Sequence, residues 1–428
     1  MNLSSPVQWP LWQRIGFRFA LLFFVLIVFL VNNGAFSFWF LVQPLYQPYL
    51  QKFIVWVGHA VLHLPYPITA FINGSGDTTF DWVLLLTIFI IALVGTVVWS
   101  VFGRRQKAYP VWYYWLMVLL RYYVGLMLIS YGLVKVIQLQ FPSPGLYRLL
   151  QPYGNSSPMG LAWTFLGFSR GYNMFMGIAE LAAGLLLFRR TATAGAIITL
   201  MTTANVMAVN YFFDVPVKIV STILFTFTLF ILSRNLQRLF RFFFSGKPVG
   251  LLPLAAPVFT KKWQRISLVV AKWLIIVSGP GLGFYEIFTY LKEEGGDAKP
   301  GYFGLYQVET FVRNGDTLPP LRTDSTRWFR IAIENSYNLR VVLSNDSARR
   351  YTYKADTAAH TLALSPMEDT TIKLNIDYTE PTAGRFSLVL RQKSDSVHMT
   401  GRLIRDFKKE FLLTNRGFHW ISEYPFNR

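Results

Sequence analysis

Seven long apolar stretches dominate this sequence, at residues 19–32, 82–103, 111–137, 172–188, 191–213, 216–233 and 266–285. A helix that crosses a bilayer needs about 20 mostly apolar residues, so the chain is constrained to a polytopic α-helical membrane body before any motif is considered. Composition agrees: 53% of residues are hydrophobic and 15% charged, against roughly 25% charged in a soluble globular protein. The first stretch, FALLFFVLIVFLVN, follows Arg14 and Arg18 as the core of a signal peptide would. No small-x-small cleavage site follows it and the next residues are again apolar, so an uncleaved anchor is expected.

A net charge of +19 would suit a nucleic-acid binder if it lay on a soluble surface. Instead residues 1–300 hold 23 of the 41 basic residues and 8 of the 22 acidic ones. Basic residues between apolar spans orient a membrane protein. With the N-terminus in the cytoplasm, Arg14, Arg18, Arg104, Arg105, Lys107, Arg189, Arg190, Arg234, Arg238, Arg241, Lys247, Lys261, Lys262 and Arg265 fall inside, and only Lys52, Arg148 and Arg170 outside. The expected location is a bacterial inner membrane, crossed seven times, with the C-terminal third periplasmic. The lipid bilayer is then the partner of the basic loops, and no nucleic acid is implied.

Two connections carry signals of their own. Residues 33–79 include PYLQKFIVWVGHAVLHL, whose lysine and two histidines favour a surface-lying or re-entrant helix over an eighth span. His59 and His63 stand four apart, as metal or haem ligands can, but no third ligand accompanies them and an interfacial helix face is the expected reading. Residues 234–264 are basic and aromatic and read as a cytoplasmic loop drawn to anionic lipid, by about 1 kcal/mol per basic residue. There is no cysteine, which removes disulfides, CxxC exchange, iron–sulfur ligation and thiolate zinc sites. Any redox role needs a borrowed cofactor or partner.

From residue 301 the pattern alternates with period two, in YQVETFV, WFRIAIE, LRVVLSN, HTLALSP, TIKLNID, RFSLVLR and HMTGRLI, with turn formers such as NGD, SND and EPTAG between several of them. Seven or eight short strands predict an antiparallel sandwich or up-and-down barrel, resembling a lipocalin in strand order. Such a barrel either holds a small apolar ligand or is filled by its own side chains, and filling is the favoured reading. The aromatic closing residues 411–428 are expected to pack on the barrel or the outer membrane face, with His419 structural.

Ionisable groups inside spans are costly and mark candidate sites. Arg121 and Glu180 are expected at similar depth, which makes an ion pair between them reasonable. Lys135 is expected at the outer end of its span. Asn210, Asp214 and Lys218 recur at steps of four across Pro216, which breaks the helix into a corner. Asp77, in GSGDTT, and Trp163, in SPMGLAWTF, are brought near by the same topology. Together these residues predict a vestibule at the periplasmic mouth, roofed by the barrel; a set of capped helix ends would give the same sequence pattern. The run GPGLG at 279–283 lacks a following Lys-Ser/Thr and reads as a kink or close-packing point rather than a phosphate loop.

Arg121-Tyr-Tyr-Val-Gly125, Tyr131-Gly132-Leu-Val-Lys135, Glu180-Leu-Ala-Ala-Gly184 and Arg189-Arg190-Thr-Ala-Thr-Ala-Gly195 resemble the DoxX-like membrane family, in a larger form of the kind found in Bacteroidetes. The resemblance covers residues 111–233 and implies a four-helix core. One DoxX-like relative is a subunit of a thiosulfate:quinone oxidoreductase, and Arg121, Lys135 and Glu180 match the family's characteristic charged residues, without a catalytic role attached. The expected organisation is residues 1–110 as anchor helices and outer connection, 111–233 as the DoxX-like core, 234–300 as basic loop and last span, and 301–428 as a periplasmic β domain. The expected function is a subunit binding a quinone-like or other small amphipathic molecule in support of a redox partner. The alternatives are a non-enzymatic scaffold or assembly factor for an envelope complex and, weighed against by the lack of inverted repeats, a transporter. No metal and no reaction follow from these residues.

Overall fold

In the computed structural model the chain forms two compact units, Met1–Phe141 with Pro158–Tyr290, and Pro142–Ser157 with Leu291–Arg428. The structure describes residues 8–70, 73–246, 248–251, 254–257, 259–294, 302–369, 371–379, 382, 384–392 and 395–427. Lys247, counted above as cytoplasmic, Gly301 and parts of the turns at 380–384 and 393–394 lie outside the described residues.

The helices in chain order are α1 (Leu11–Leu30), α2 (Gln43–Trp56), α3 (Thr79–Phe102), α4 (Pro110–Val136), α5 (Leu146–Leu149, part of the second unit), α6 (Pro158–Phe168), α7 (Arg170–Leu181), α8 (Ala192–Phe212), α9 (Lys218–Phe244), α10 (Lys262–Glu294) and α11 (Leu412–Asn415, also in the second unit). Six of them, α1, α3, α4, α8, α9 and α10, are long and apolar enough to cross a membrane. Along α3 the side chains of Phe89, Ile90, Leu93, Val94, Val97 and Val98 are all exposed. A contiguous apolar face of this kind has no place in water, and the chain is a multi-pass membrane protein. The centre of the body is α4 and α9, whose spans are 61% and 56% buried, whereas α10 is 6% buried. On α4, Leu116, Leu120, Tyr123, Val124 and Met127 face inward, and the Tyr123 hydroxyl donates to the Val31 carbonyl at 2.6 Å.

The fourth apolar stretch is not one α-helix. Helix α7 has 12 residues and continues as a 3-10 helix of 6 residues, Ala182–Leu187. At about 1.5 and 2.0 Å per residue the two together extend roughly 30 Å, the thickness of a hydrocarbon core. This combined segment runs antiparallel to α4. A Cβ on Gly132 would meet the Gly177 carbonyl oxygen at 2.7 Å, and one on Gly125 would meet Leu187 at 2.9 Å, so both glycines are needed for backbones packed this closely.

Two sequence boundaries are corrected, and the outer connection keeps its expected character. Helix α1 starts at Leu11, so Arg18 lies inside it, buried, and donates to the Tyr109 and Ser100 hydroxyls and the Gly103 carbonyl. It holds α1 to the end of α3 rather than marking a loop. Helix α9 continues to Phe244, so Arg234, Arg238 and Arg241 are helical instead of opening a loop. The connection after α1 forms α2 and a π-helical turn, Val57–Val61, and is not among the six membrane-length helices; His59 and His63 are exposed there. The close-packing reading of residues 279–283 holds at Gly279, where a Cβ would meet Leu126 at 3.3 Å.

The second unit is an antiparallel barrel. Its strands are β1 (Gly304–Arg313), β2 (Asp316–Thr317), β3 (Trp328–Ile333), β4 (Asn338–Leu343), β5 (Ala348–Asp356), β6 (Thr361–Pro366), β7 (Leu374–Tyr378), β8 (Arg385–Gln392) and β9 (Asp395–Ile404). From β3 to β9 neighbours in sequence are neighbours in the sheet, and β1 pairs with both β3 and β9, closing eight strands, with the short β2 appended to β1. The closing ladder runs from Leu305 opposite Ile404 to Arg313 opposite Val397, with an irregularity between Val308 and Thr310. There a Cβ on Gly401 would strike the Gln307 carbonyl oxygen at 2.1 Å, so closure requires glycine. Inward residues such as Tyr306, Trp328, Leu364 and Met399 fill the interior, leaving a cavity of about 20 Å³. The barrel is filled, as favoured from the sequence. One barrel end is covered by Leu146, Leu305, Ala332 and Phe407, with Phe411 packed against them. Beyond this point Phe418, Trp420, Ile421 and Tyr424 are exposed, Trp420 to 91%, so of the two positions expected for the aromatic tail, barrel or outer membrane face, these residues do not adopt the one on the barrel.

Candidate functional site

The expected pair of Arg121 with Glu180 does not form. Arg121 donates through Nε to the Leu186 carbonyl at 2.6 Å, at the 3-10 end of the broken helix. Glu180 pairs with Lys135, Nζ to Oε1 at 2.5 Å, and both side chains are buried. The contact between Gly132 and Gly177 brings α4 and α7 close enough for these side chains to meet. Lys135 sits in the last turn of α4, where the helix dipole favours a cation.

The second carboxylate oxygen, Glu180 Oε2, is buried and accepts no hydrogen bond. Two turns earlier on the same helix Asn173 is fully buried; its amide donates to the Phe141 and Leu166 carbonyls, while its Oδ1 has no partner. Gln140 Oε1 is a further buried acceptor without a donor. The ammonium of Lys135 lies 5.7 Å from the ring centroids of both Tyr131 and Phe141, and Trp163 stands edge-on to Phe141 at 5.0 Å. Tyr131 accepts from the Asn33 amide at 3.0 Å. This end of the bundle thus combines a cation, an ionisable acceptor and aromatic faces. Buried acceptors lacking donors cost about 1–3 kcal/mol each, so a donor-bearing molecule that reached them would be bound strongly.

Asp77, Asn210, Asp214 and Lys218 form a separate corner. The Asp77 carboxylate accepts from the backbone amides of Lys218 at 2.7 Å and Ile219 at 2.9 Å, capping the N-terminus of α9 from a distant loop. Lys218 bonds Asp214 at 2.9 Å, and Asn210 donates to the Val217 carbonyl at 3.4 Å. Thr78 and Asp81 cap the start of α3 reciprocally. These are the capped helix ends that the sequence left as the alternative, with Asp77 of GSGDTT capping α9 and Thr78 and Asp81 capping α3.

The uncharacterized protein YwoB of Bacillus subtilis (strain 168) is 38% identical over 120 residues, 28% of this chain and 75% of that protein. The chain belongs to the YwoB family. The kinship spans a minority of the chain, so the YwoB family shares one part of it. No family model matches the sequence and no solved structure matches it.

Sequence reasoning singled out Lys135, Glu180 and Trp163 but missed Asn173 and Gln140. Asn173 had a signal: it stands seven residues before Glu180 in an otherwise apolar helix, and so shares its face. Gln140, in the turn after α4, had none.

Proposed function

We propose that the helical unit binds a small amphipathic molecule with a quinone-like headgroup at Lys135 and Glu180, and serves a redox partner from there. The observation that supports this most directly is Glu180 Oε2, a buried carboxylate oxygen beside an ammonium with nothing donating to it. A hydroquinone hydroxyl would donate to that oxygen, the Lys135 ammonium would donate to a quinone carbonyl, and Tyr131, Phe141 and Trp163 supply faces for the ring. Electrons come from the partner, since the chain has no cysteine. The DoxX-like resemblance of residues 111–233 supports the same reading, through its thiosulfate:quinone oxidoreductase relative. Counting the broken helix as a crossing gives seven passes of a bacterial inner membrane, with the Lys135 end and the barrel periplasmic.

The test is mild-detergent purification followed by mass spectrometry of extracted small molecules. Quinone is expected in stoichiometric amount with the wild type and lost from folded Glu180→Ala and Lys135→Met. A wild type that carries none, and whose melting temperature no short-chain quinone raises, removes the reading. The scaffold reading is favoured by the exposed aromatic tail; it predicts a fixed protein partner that dissociates when residues 418–427 are deleted.

A further inference from the structure

Among the described residues, a cleft towards the opposite end of α4 gathers three arginines and no acid. Arg121 lies 14 residues before Lys135 in the chain, about 21 Å along the helix, so the cleft is distinct from the site above. Arg121 is 3% exposed. Arg189, after the 3-10 segment, is exposed and Arg234, on α9, is half-buried, and both line the same cavity with Thr193 and Asn235. Its volume is about 30 Å³, sized for the oxygens of a headgroup rather than for a whole ligand.

An arginine cannot shed its proton, and like charges around a partly buried cavity repel strongly at low dielectric. Among the described residues none of those lining the cavity is acidic, so the neutralising charge has to come from outside the chain. A halide would supply charge alone. Asn235 asks for more: it is 6% exposed, its Nδ2 donates to Thr193 Oγ1 at 2.8 Å, and its Oδ1 is buried without a donor. The ligand therefore carries an oxyanion and a hydroxyl together. Guanidinium groups match phosphate oxygens in a forked geometry. Arg238 and Arg241 continue the basic face of α9 beyond the cleft, and Lys272 lies 4.7 Å from the Phe188 ring centroid, next to Arg189 in sequence.

We propose that this cleft binds the phosphate of a hydroxyl-bearing anionic headgroup, of which phosphatidylglycerol is the membrane form and hydrogen phosphate the soluble one. Full-length protein is reconstituted in phosphatidylcholine vesicles with or without phosphatidylglycerol, extracted in mild detergent and examined by native mass spectrometry. One phosphatidylglycerol is expected to stay on the wild type and on Arg241→Gln, whose side chain does not line the cleft. At unchanged melting temperature, retention by Arg234→Gln is expected to fall at least about tenfold, as for loss of one charge-assisted hydrogen bond, and by Asn235→Ala by up to about tenfold, as for a neutral one. If inorganic phosphate instead raises the melting temperature of the wild type and not of Arg234→Gln, with no lipid retained, the site stands with the soluble ion as its ligand. Equal loss of lipid in Arg241→Gln and Arg234→Gln means diffuse adhesion and overturns the proposal. So does a folded wild type that takes neither lipid nor phosphate.

Discussion

Arg18, Lys135 and Arg327 hold a cation away from water in three ways. Arg18 uses two hydroxyls and a helix-terminal carbonyl, Lys135 a carboxylate, and Arg327 the carbonyls of Leu318, Trp328 and Glu309 inside the barrel unit. Arg121, with one carbonyl, is the least satisfied of the buried cations described, which is why its surroundings suggest a ligand. Burial acts on Glu334 in the opposite sense: desolvation raises its carboxyl above the ordinary carboxylate range, although the Leu146 and Tyr147 amides and Arg340 oppose this. Because the folded state then holds the proton more tightly than the unfolded chain, the contribution of this group to stability is present below the ordinary carboxylate pKa and lost as pH rises through the raised one. The pH dependence of barrel melting from about pH 4 to 7 should therefore contain a descending component that Glu334→Gln removes; identical profiles for the two proteins would show that Glu334 does not contribute. At this scale the sequence revealed which residues were unusual but not their partners. It placed Arg121 and Glu180 at one depth from helix ends, whereas the register between α4 and α7 is set where Gly132 meets Gly177, and a charge pattern carries no record of that contact.

At the scale of elements, the apolar runs were legible because a bilayer demands length and continuity, and their ends were not, because helices run past the hydrocarbon. Thus α9 extends through Arg234, Arg238 and Arg241 to Phe244. In the barrel, β5 was not singled out: Ala348–Asp356 carries Arg349, Arg350 and Lys354, and only Tyr351 and Tyr353 of it are buried. Two tyrosines among charges are a weak alternation, readable only once β4 and β6 flank them. The break from α7 into its 3-10 continuation has no clear sequence signal either, yet it fixes how the segment meets α4. Gly132→Ala would put a Cβ 2.7 Å from the Gly177 carbonyl oxygen and 3.0 Å from the Leu181 backbone nitrogen, neither of which can turn away. A loss of about 1–3 kcal/mol, as for overpacking elsewhere, is expected as a lower melting temperature in detergent. Gly184→Ala, whose Cβ would meet Ile129 at an ordinary 3.6 Å, is expected to be neutral. Equal melting of the two variants would mean that the glycine contact does not set the packing.

For the whole molecule, the decisive question is whether residues 170–187 cross. Six membrane-length helices alone would return both chain ends to one side, and a seventh crossing separates them. The charge distribution argues for seven, because with Arg18 set aside as buried within α1 the cytoplasmic side then collects thirteen basic residues against Lys52, Arg148 and Arg170 outside. The extension of the combined α and 3-10 segment, roughly 30 Å by helix geometry, supplies the length. Alkaline phosphatase fused after Asn155, after Arg190 and after Arg428 separates the arrangements, because the enzyme is active only outside the cytoplasm. With a crossing, activity is expected after Asn155, absent after Arg190 and present again after Arg428. Without one, the fusions after Asn155 and Arg190 report the same side. Helix α4 crosses in either case, so Lys135 and Arg121 keep their places along it, but without the seventh crossing the residues after α10 would fall on the cytoplasmic side and the periplasmic placement of the β domain would be lost.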